Sequence, residues 1–270
     1  MSKLYVVGTP IGNLEDFSPR GVRILNEVDF IAAEDTRVTQ KLLNHFGIKK
    51  ETVSYFEHNK EEKGPYIVNR IANGEICALV TDAGMPAISD PGEELVYLCR
   101  MSNIDVESIP GPCAFATALA ISGFDSRRFC FEGFLEQDNS QINAHLSALV
   151  HEERTILFYE APHRLIKTLK NMERFLANRM VCIAKELTKI HECVLYGSFE
   201  DLIKYYESYP PKGEYVIIIE GATPRKKAYT LDEAIELAKD LCDKGLKKTE
   251  AAKQSAALTG IKKSEIYTNL

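Results

Sequence analysis

One pattern recurs along this chain and limits what it can fold into. A short, continuous apolar run is followed by a loop punctuated by glycine and proline, and then by a segment with helical apolar spacing. Leu4–Val7 runs into Gly8-Thr9-Pro10-Ile11-Gly12-Asn13 and Ile76–Val80 into Thr81-Asp82-Ala83-Gly84-Met85-Pro86; a further strand candidate, Val106–Ile109, carries Glu107 and Ser108 and leads into Pro110-Gly111-Pro112. Unbroken apolar runs of four or five residues suit strands covered on both faces, whereas a half-solvated strand would alternate. Helical segments are predicted in between: one after the N-cap pair Ser18-Pro19, then Val38–Phe46 ending at Gly47, Ile67–Ala72 and Leu95–Arg100. Asp29–Ala33 reads as a further strand and the polar stretch Glu57–Gly64 as a loop. This alternation predicts an α/β domain with a mostly parallel sheet.

The second half keeps the alternation with less regular spacing. Phe129–Phe134, Thr155–Tyr159, Met180–Ala184, Glu192–Gly197 and Tyr215–Glu220 are strand candidates, with helices at Leu165–Leu176 and Ser198–Tyr206. A second α/β domain of mixed strand direction is expected. Beyond it, Leu231–Cys242, Lys248–Thr259 and Lys263–Asn269 read as three short helices broken at Gly245 and Gly260. The expected organisation is an N-terminal α/β domain (1–115), a C-terminal α/β domain (116–225) and a small, lysine-rich helical domain (226–270).

Charge bears on the partner. The chain carries 33 Lys and Arg against 39 Asp and Glu, a net charge of −6. An evenly basic nucleic-acid binder is excluded, because phosphate neutralisation needs cationic surface. Residues 1–120 hold 11 basic and 17 acidic groups, whereas 226–270 hold 9 and 7. The tail is therefore locally basic, with six lysines in 244–263 against Glu250. No apolar run reaches the roughly 18 residues of a membrane span. Seven cysteines without CxxC spacing suit reduced thiols, a cytoplasmic setting and no zinc site.

Ligands of open α/β sheets gather outside the carboxyl ends of the strands. The first loop lacks both GxGxxG and a P-loop ending, which weakens a dinucleotide or triphosphate reading. The loop 81–92 packs two Asp, two Gly and two Pro into twelve positions and can hold backbone groups rigidly toward a ligand. Asp82 is a candidate acceptor there, and Asp90 is expected only to cap a helix starting at Pro91. The third loop enters a small-residue helix, Ala114–Ala120, that allows close approach. In the second half, Phe158-Tyr159-Glu160-Ala161-Pro162-His163-Arg164 and Lys185-Glu186-Leu187-Thr188-Lys189 place charge at strand ends. There is no Ser-His-Asp spacing and no metal-ligand cluster; His163 and His191 read as rim residues.

Taken together, GTPIGNLEDFSPRGVRIL (8–25), AEDTR (33–37), VTDAGMPAISDPG (80–92), IPGPCAFATALAISGF (109–124), FCFEGFL (129–135), FYEAPHRL (158–165), KELTKIHE (185–192) and GEYVIIIEG (213–221) resemble the tetrapyrrole-methylase superfamily. Within it they are most similar to the ribosomal RNA small subunit methyltransferase I family. The resemblance implies a class III S-adenosylmethionine (SAM) methyltransferase: two α/β domains with a cleft between them, plus a small helical domain. It also implies a homodimer acting on the ribose 2′-oxygen of a decoding-centre cytidine of 16S rRNA in the small ribosomal subunit. By motif position, Pro10, Asp82, Gly84, Met85, Ile88, Cys113, Ala114 and Phe115 would hold the cofactor. Phe158, Tyr159, Gly213, Glu214 and Tyr215 would enclose its adenine side. Glu186 is the candidate base or orienter, with Lys185, Arg37 and Arg164 placing phosphate or hydroxyl.

One stretch departs from the family's pattern. Where proline and basic residues are expected after FEGFL, the chain reads Glu136-Gln137-Asp138-Asn139-Ser140, and no Lys or Arg occurs from Phe129 through Glu153. Two other readings therefore stay open. One is the same fold methylating a tetrapyrrole or a protein; the other is a non-enzymatic RNA-binding or ribosome-assembly factor that keeps the pocket.

Overall fold

A computed structural model of the chain describes residues 2–223 and 229–270. The chain divides into two compact units, Met1–Ala222 and Thr223–Leu270. Residues 224–228 lie outside the described residues, so the expected boundary at 225/226 falls in a stretch about which nothing structural is stated.

The first unit contains two five-stranded sheets. Strands β1 (Lys3–Val7), β2 (Phe30–Ala33), β3 (Glu51–Ser54), β4 (Ile76–Val80) and β5 (Asp105–Ile109) are ordered β3-β2-β4-β1-β5, all parallel. Helices α1 (Pro19–Glu27), α2 (Thr36–His45), α3 (Lys60–Ala72) and α4 (Glu93–Met101) connect them. The sheet has a core on each face. Val7, Ile31, Ala33, Ala78 and Val80 pack with α1 and α2, while Leu4, Phe30, Ala32, Cys77 and Leu79 pack with α3 and α4. Both faces of the inner strands β1, β2 and β4 are thus largely dry, which accounts for their apolar runs. Ser18 caps α1 by accepting from the Gly21 N–H, with Pro19 at the first helical position.

One sequence expectation fails here, and one strand was missed. Lys60–Gly64 is not loop but the first turns of α3, with Glu61 and Glu62 favourably placed at its N-terminal dipole end. The strand β3 carried no sequence signal, because ETVS is short, half-exposed and lies at the sheet edge.

Helix α5 (Ala114–Ser122) leads to the second sheet: β6 (Phe129–Phe134), β7 (Thr155–Glu160), β8 (Val181–Lys185), β9 (Cys193–Gly197) and β10 (Tyr215–Ile219), in the order β6-β7-β10-β8-β9. Only β6 and β7 are parallel; the other three pairings are antiparallel. Helices α6 (Asn139–Ala148), α7 (Leu165–Leu176) and α8 (Phe199–Ser208) cover one face, sealing Phe158, Ile183, Ile217 and Ile219. The other face, with Leu157, Cys182, Ala184, Val216 and Ile218, packs with Ala118 and Leu119 of α5 and with Ile11 of the first loop.

The second unit holds α9 (Leu231–Asp243), α10 (Lys248–Thr259) and α11 (Lys263–Asn269) around Ala234, Ala238, Ala252 and Ile266. Its small core is pinned by the buried Ser255 hydroxyl, which donates to the Ala234 carbonyl at 2.6 Å. No helix among the described residues is long and apolar enough to cross a membrane, and no group of three or more His, Cys, Asp or Glu among them could hold a metal ion.

Candidate active site

The strand directions bring seven loop ends to one place. In the parallel sheet, β1, β4 and β5 all finish at the same edge. In the mixed sheet, Tyr215 at the start of β10 pairs with Glu160 at the end of β7 and with Lys185 at the end of β8. The antiparallel β10 thus enters where its neighbours leave, and β6, parallel to β7, ends there too. Between these edges lies a cavity of about 320 Å³. Its walls come from Ile11 after β1, Ala83–Met85 and Ile88–Asp90 after β4, and Cys113 and Ala114 after β5. Facing them are Phe134 of β6, Tyr159–Pro162 at the end of β7 and just beyond, Ala184 and Leu187 around the end of β8, and Glu214–Val216.

The loops are locked together through backbone. The Thr9 N–H donates to the Gly84 carbonyl at 2.9 Å and the Gly84 N–H to the Thr9 carbonyl at 3.2 Å, while the Gly8 N–H donates to the Ile109 carbonyl. Gly8 and Gly111 touch so closely that a Cβ on Gly111 would sit 2.7 Å from the Gly8 oxygen. Neither position has room for a side chain. Ala87 and Ser89 both hold positive φ, 66° and 62°. That region disfavours residues with a Cβ and persists where the surroundings over-determine it.

Of the residues expected to bind a cofactor, Gly84, Met85, Ile88, Cys113, Ala114, Tyr159, Glu214 and Tyr215 line the cavity. The others do not. Phe158 is fully buried in the core on the opposite face of its strand, because side chains alternate and Tyr159 takes the cavity side. Pro10 precedes the lining residue Ile11. Asp82 is exposed, its carboxylate accepting the Asp35 N–H at 3.1 Å. Phe115 stacks on Phe131 at 4.5 Å and donates its N–H to the Tyr159 hydroxyl, so it braces the wall from behind. Gly213 packs against the Glu186 carboxyl.

None of the four charged candidates lines the cavity. Glu186 accepts from Lys189 and from the Glu214 N–H, both at 2.9 Å, and these contacts together with nearby Lys185 hold its pKa down against the upward push of burial. Arg37 is exposed and pairs with Asp35, whose carboxyl it lowers to about 2. Arg164 donates to the Leu135 and Glu136 carbonyls and lies 3.4 Å from the buried Glu160 carboxylate. Lys185 ends β8 beside the lining residue Ala184.

The acidic residues Glu160, Glu214 and, from the β4 loop, Asp90 line the cavity. Asp90 does not cap a helix: α4 starts at Glu93, and its N-cap position is Gly92 at φ 149°. Burial, reinforced by the charges of Glu34 and Asp82, pushes Asp90 up to about 7, with Thr81 acting in the opposite direction. Thr81 is also bonded to Glu34, so its one hydroxyl proton lies between two carboxyls. The sequence signal for Asp90 was its place in a strained loop after a strand, and the reading of Asp-Pro as a helix start obscured it.

The pattern of the tetrapyrrole (corrin/porphyrin) methylases matches residues 3–203. A protein of Synechocystis sp. named ribosomal RNA small subunit methyltransferase I is 44% identical over 99% of this chain and 96% of its own length. One of the same name from Thermotoga maritima is 43% identical over 82% of this chain and 99% of its own length. Among solved structures, a cobalt precorrin-4 methyltransferase of cobalamin biosynthesis superposes with a TM-score of 0.62 at 19% identity, over 81% of this chain and 95% of that one. Diphthine synthase does so with 0.64 at 16%, over 82% and 90%. These two likenesses are of fold, whereas the sequence identities extend over nearly the whole chain: it belongs to the tetrapyrrole methylases and, within them, to the ribosomal RNA small subunit methyltransferase I family.

Proposed function

We propose that this chain is a SAM-dependent methyltransferase of small-subunit ribosomal RNA that modifies the ribose 2′-oxygen of a decoding-centre cytidine. The observation that carries the reading is the near-full-length identity to relatives of that name, joined to a cavity at the strand ends where this fold places its chemistry.

The cavity suits SAM in size and lining. Ligand pockets run from about 300 to 1,000 Å³, mostly apolar with a few placed polar groups. Ile11, Met85, Leu187 and Val216 supply the apolar walls, and Gly84, at φ 87° with Ile11 and Pro112 next to where its Cβ would be, leaves open backbone in one of them. A cofactor bearing a sulfonium and an ammonium also gains from nearby carboxylates. Gly84, Met85 and Ile88 would hold its amino-acid part, and Cys113, Ala114, Tyr159, Glu214 and Tyr215 its nucleoside. When bound, SAM supplies an electrophilic methyl group. The protein's task is then alignment of the attacking oxygen and removal of its proton.

Asp90 is our candidate for that proton acceptor, since it is a carboxyl at the cavity wall with a proton affinity near neutrality, where general bases work best. Glu186 acts as an orienter, tying the end of β8 to the start of β10, and Lys185 and Arg37 remain the candidates for placing phosphate. Calorimetry with SAM, followed by transfer of labelled methyl to undermethylated small subunits and mapping of the product nucleotide, tests the reading. Methyl transfer to a tetrapyrrole or a protein instead, or SAM binding without transfer, would overturn it in favour of the other two readings.

A further inference from the structure

Phe134 is placed in a way the fold alone does not require. Along β6, Phe131 pairs with Leu157 but Phe134 with Tyr159, so three steps on β6 match two on β7. This is a bulge, and Gly133 takes φ 67° within it. The extra residue turns Phe134 to the face that Phe131 and Tyr159 share. The Tyr159 ring meets Phe131 at 4.8 Å and Phe134 at 5.7 Å. Across the cavity, the bulge abuts the β4 loop, where Ser89 Oγ lies 3.4 Å from the position a Gly133 Cβ would take. The chain beyond is clamped: Leu135 is buried, and Arg164, backed by the buried Glu160, binds the Leu135 and Glu136 carbonyls.

The outcome is a fixed aromatic ring, 50% exposed, on the rim of the cavity. Its plane is inclined at 62° to that of Tyr159, so the two rings do not stack on each other, and half of the Phe134 surface is left open to solvent. A ring held open to solvent by a bulge suits a flat ligand that arrives from solvent. The enclosed walls, Ile11, Leu187 and Val216, are each less than 8% exposed and suit a cofactor's nucleoside deeper in. Enzymes that modify a nucleotide take it out of its stack and restack its base on aromatic side chains.

We propose that Phe134 is the stacking platform for the base of the nucleotide being methylated. This rests on the RNA reading above. The test compares Phe134→Ala, Phe134→Leu and Phe134→Tyr in the full chain, by SAM calorimetry and by methyl transfer to undermethylated small subunits. The Ala and Leu variants should bind SAM within about twofold of wild type and lose about 5- to 150-fold in kcat/KM for subunits, the range that base–aromatic stacking carries. Phe134→Tyr should recover most of that loss. Unchanged kcat/KM in Phe134→Ala, or a Leu variant equal to wild type, overturns the stacking role. SAM binding weakened by the same factor as kcat/KM also overturns it, because the ring would then serve the cofactor's adenine. Wild-type protein that transfers no methyl to subunits refutes the RNA reading itself and this inference with it.

Discussion

Asp90→Asn tests the electrostatics of the cavity without any substrate. In the folded chain the Asp90 carboxyl titrates at about 7 rather than the ordinary 3.8, chiefly because it is removed from water. A displacement of that size corresponds to a ceiling of about 4 kcal/mol at 1.36 kcal/mol per pH unit. The carboxyl is only partly enclosed, so solvent screening reduces this to about 1–2 kcal/mol. The sign follows from linkage. The folded state holds the proton more tightly than the unfolded chain, so the contribution is complete below about pH 4 and is lost as pH rises toward 7. Asparagine is neutral throughout and escapes that loss. Melting temperatures of the two proteins, measured without SAM, should therefore diverge in favour of Asp90→Asn by about 2–6 °C more at pH 8 than at pH 5. A gap that stays constant or narrows with rising pH would show that Asp90 is solvated and ionised, and would remove both the electrostatic argument and the case for a neutral-range base.

The same substitution should lower kcat for methyl transfer by about 10²–10⁴ and weaken SAM binding far less, because Glu34 and Asp82 keep their charge, measured by initial rates and calorimetry. Glu186→Gln, which keeps an acceptor for the Glu214 N–H, should retain kcat within a few fold, whereas Glu186→Ala should lower the melting temperature by an amount equivalent to about 1 kcal/mol. A large loss of kcat in the Gln variant would restore Glu186 as the base. Gly111→Ala forces a Cβ against the Gly8 carbonyl and should cost about 1–3 kcal/mol by thermal melting and weaken SAM binding in calorimetry. Removal of residues 226–270 should leave SAM affinity unchanged and flatten the salt dependence of subunit binding by about 2 in log–log slope, the mark of lost phosphate contacts.

The inner strands of the first sheet, β1, β2 and β4, were readable from sequence because they are largely dry on both faces, and α1 because it starts at a capping residue. Ser18-Pro19 and the run Ile76–Val80 illustrate this: each is local chemistry with one structural solution. The strand β3 was not readable, since ETVS draws its order from pairing with β2, a contact made across α2 in sequence. The site was readable as loops and less so as residues. Phe158 and Tyr159 are neighbours in sequence, yet one is core and the other cavity wall, and only the pairing register decides which. Arg164 and Glu186 drew attention as charges in motifs, but their partners, Leu135, Glu136, Lys189 and Glu214, lie 3 to 29 residues away and are brought together by the fold. The acidic segment after FEGFL also has a local cause. Asp138 caps α6, accepting from the Ser140 and Gln141 N–H groups, so a carboxylate there starts a helix.

Charge placement connects the cofactor and RNA readings. Glu34, Asp82 and Asp90 lie near one another at the end of β4, with Asp35 hydrogen-bonded to Asp82. This group favours a cationic cofactor and repels phosphate. At physiological salt such repulsion fades over about 8 Å. An RNA backbone is therefore tolerated outside the rim and disfavoured within it. On the proposed function, only the sugar and base of one nucleotide approach the methyl group, with flanking phosphates kept outside the rim near Arg37 and Lys185. A net charge of −6 is then no obstacle to an RNA substrate. On this reading it reflects a cavity built for a cation, and it requires the target nucleotide to leave its stack before reaching the methyl group, which is the step an aromatic ring held open to solvent at Phe134 would serve.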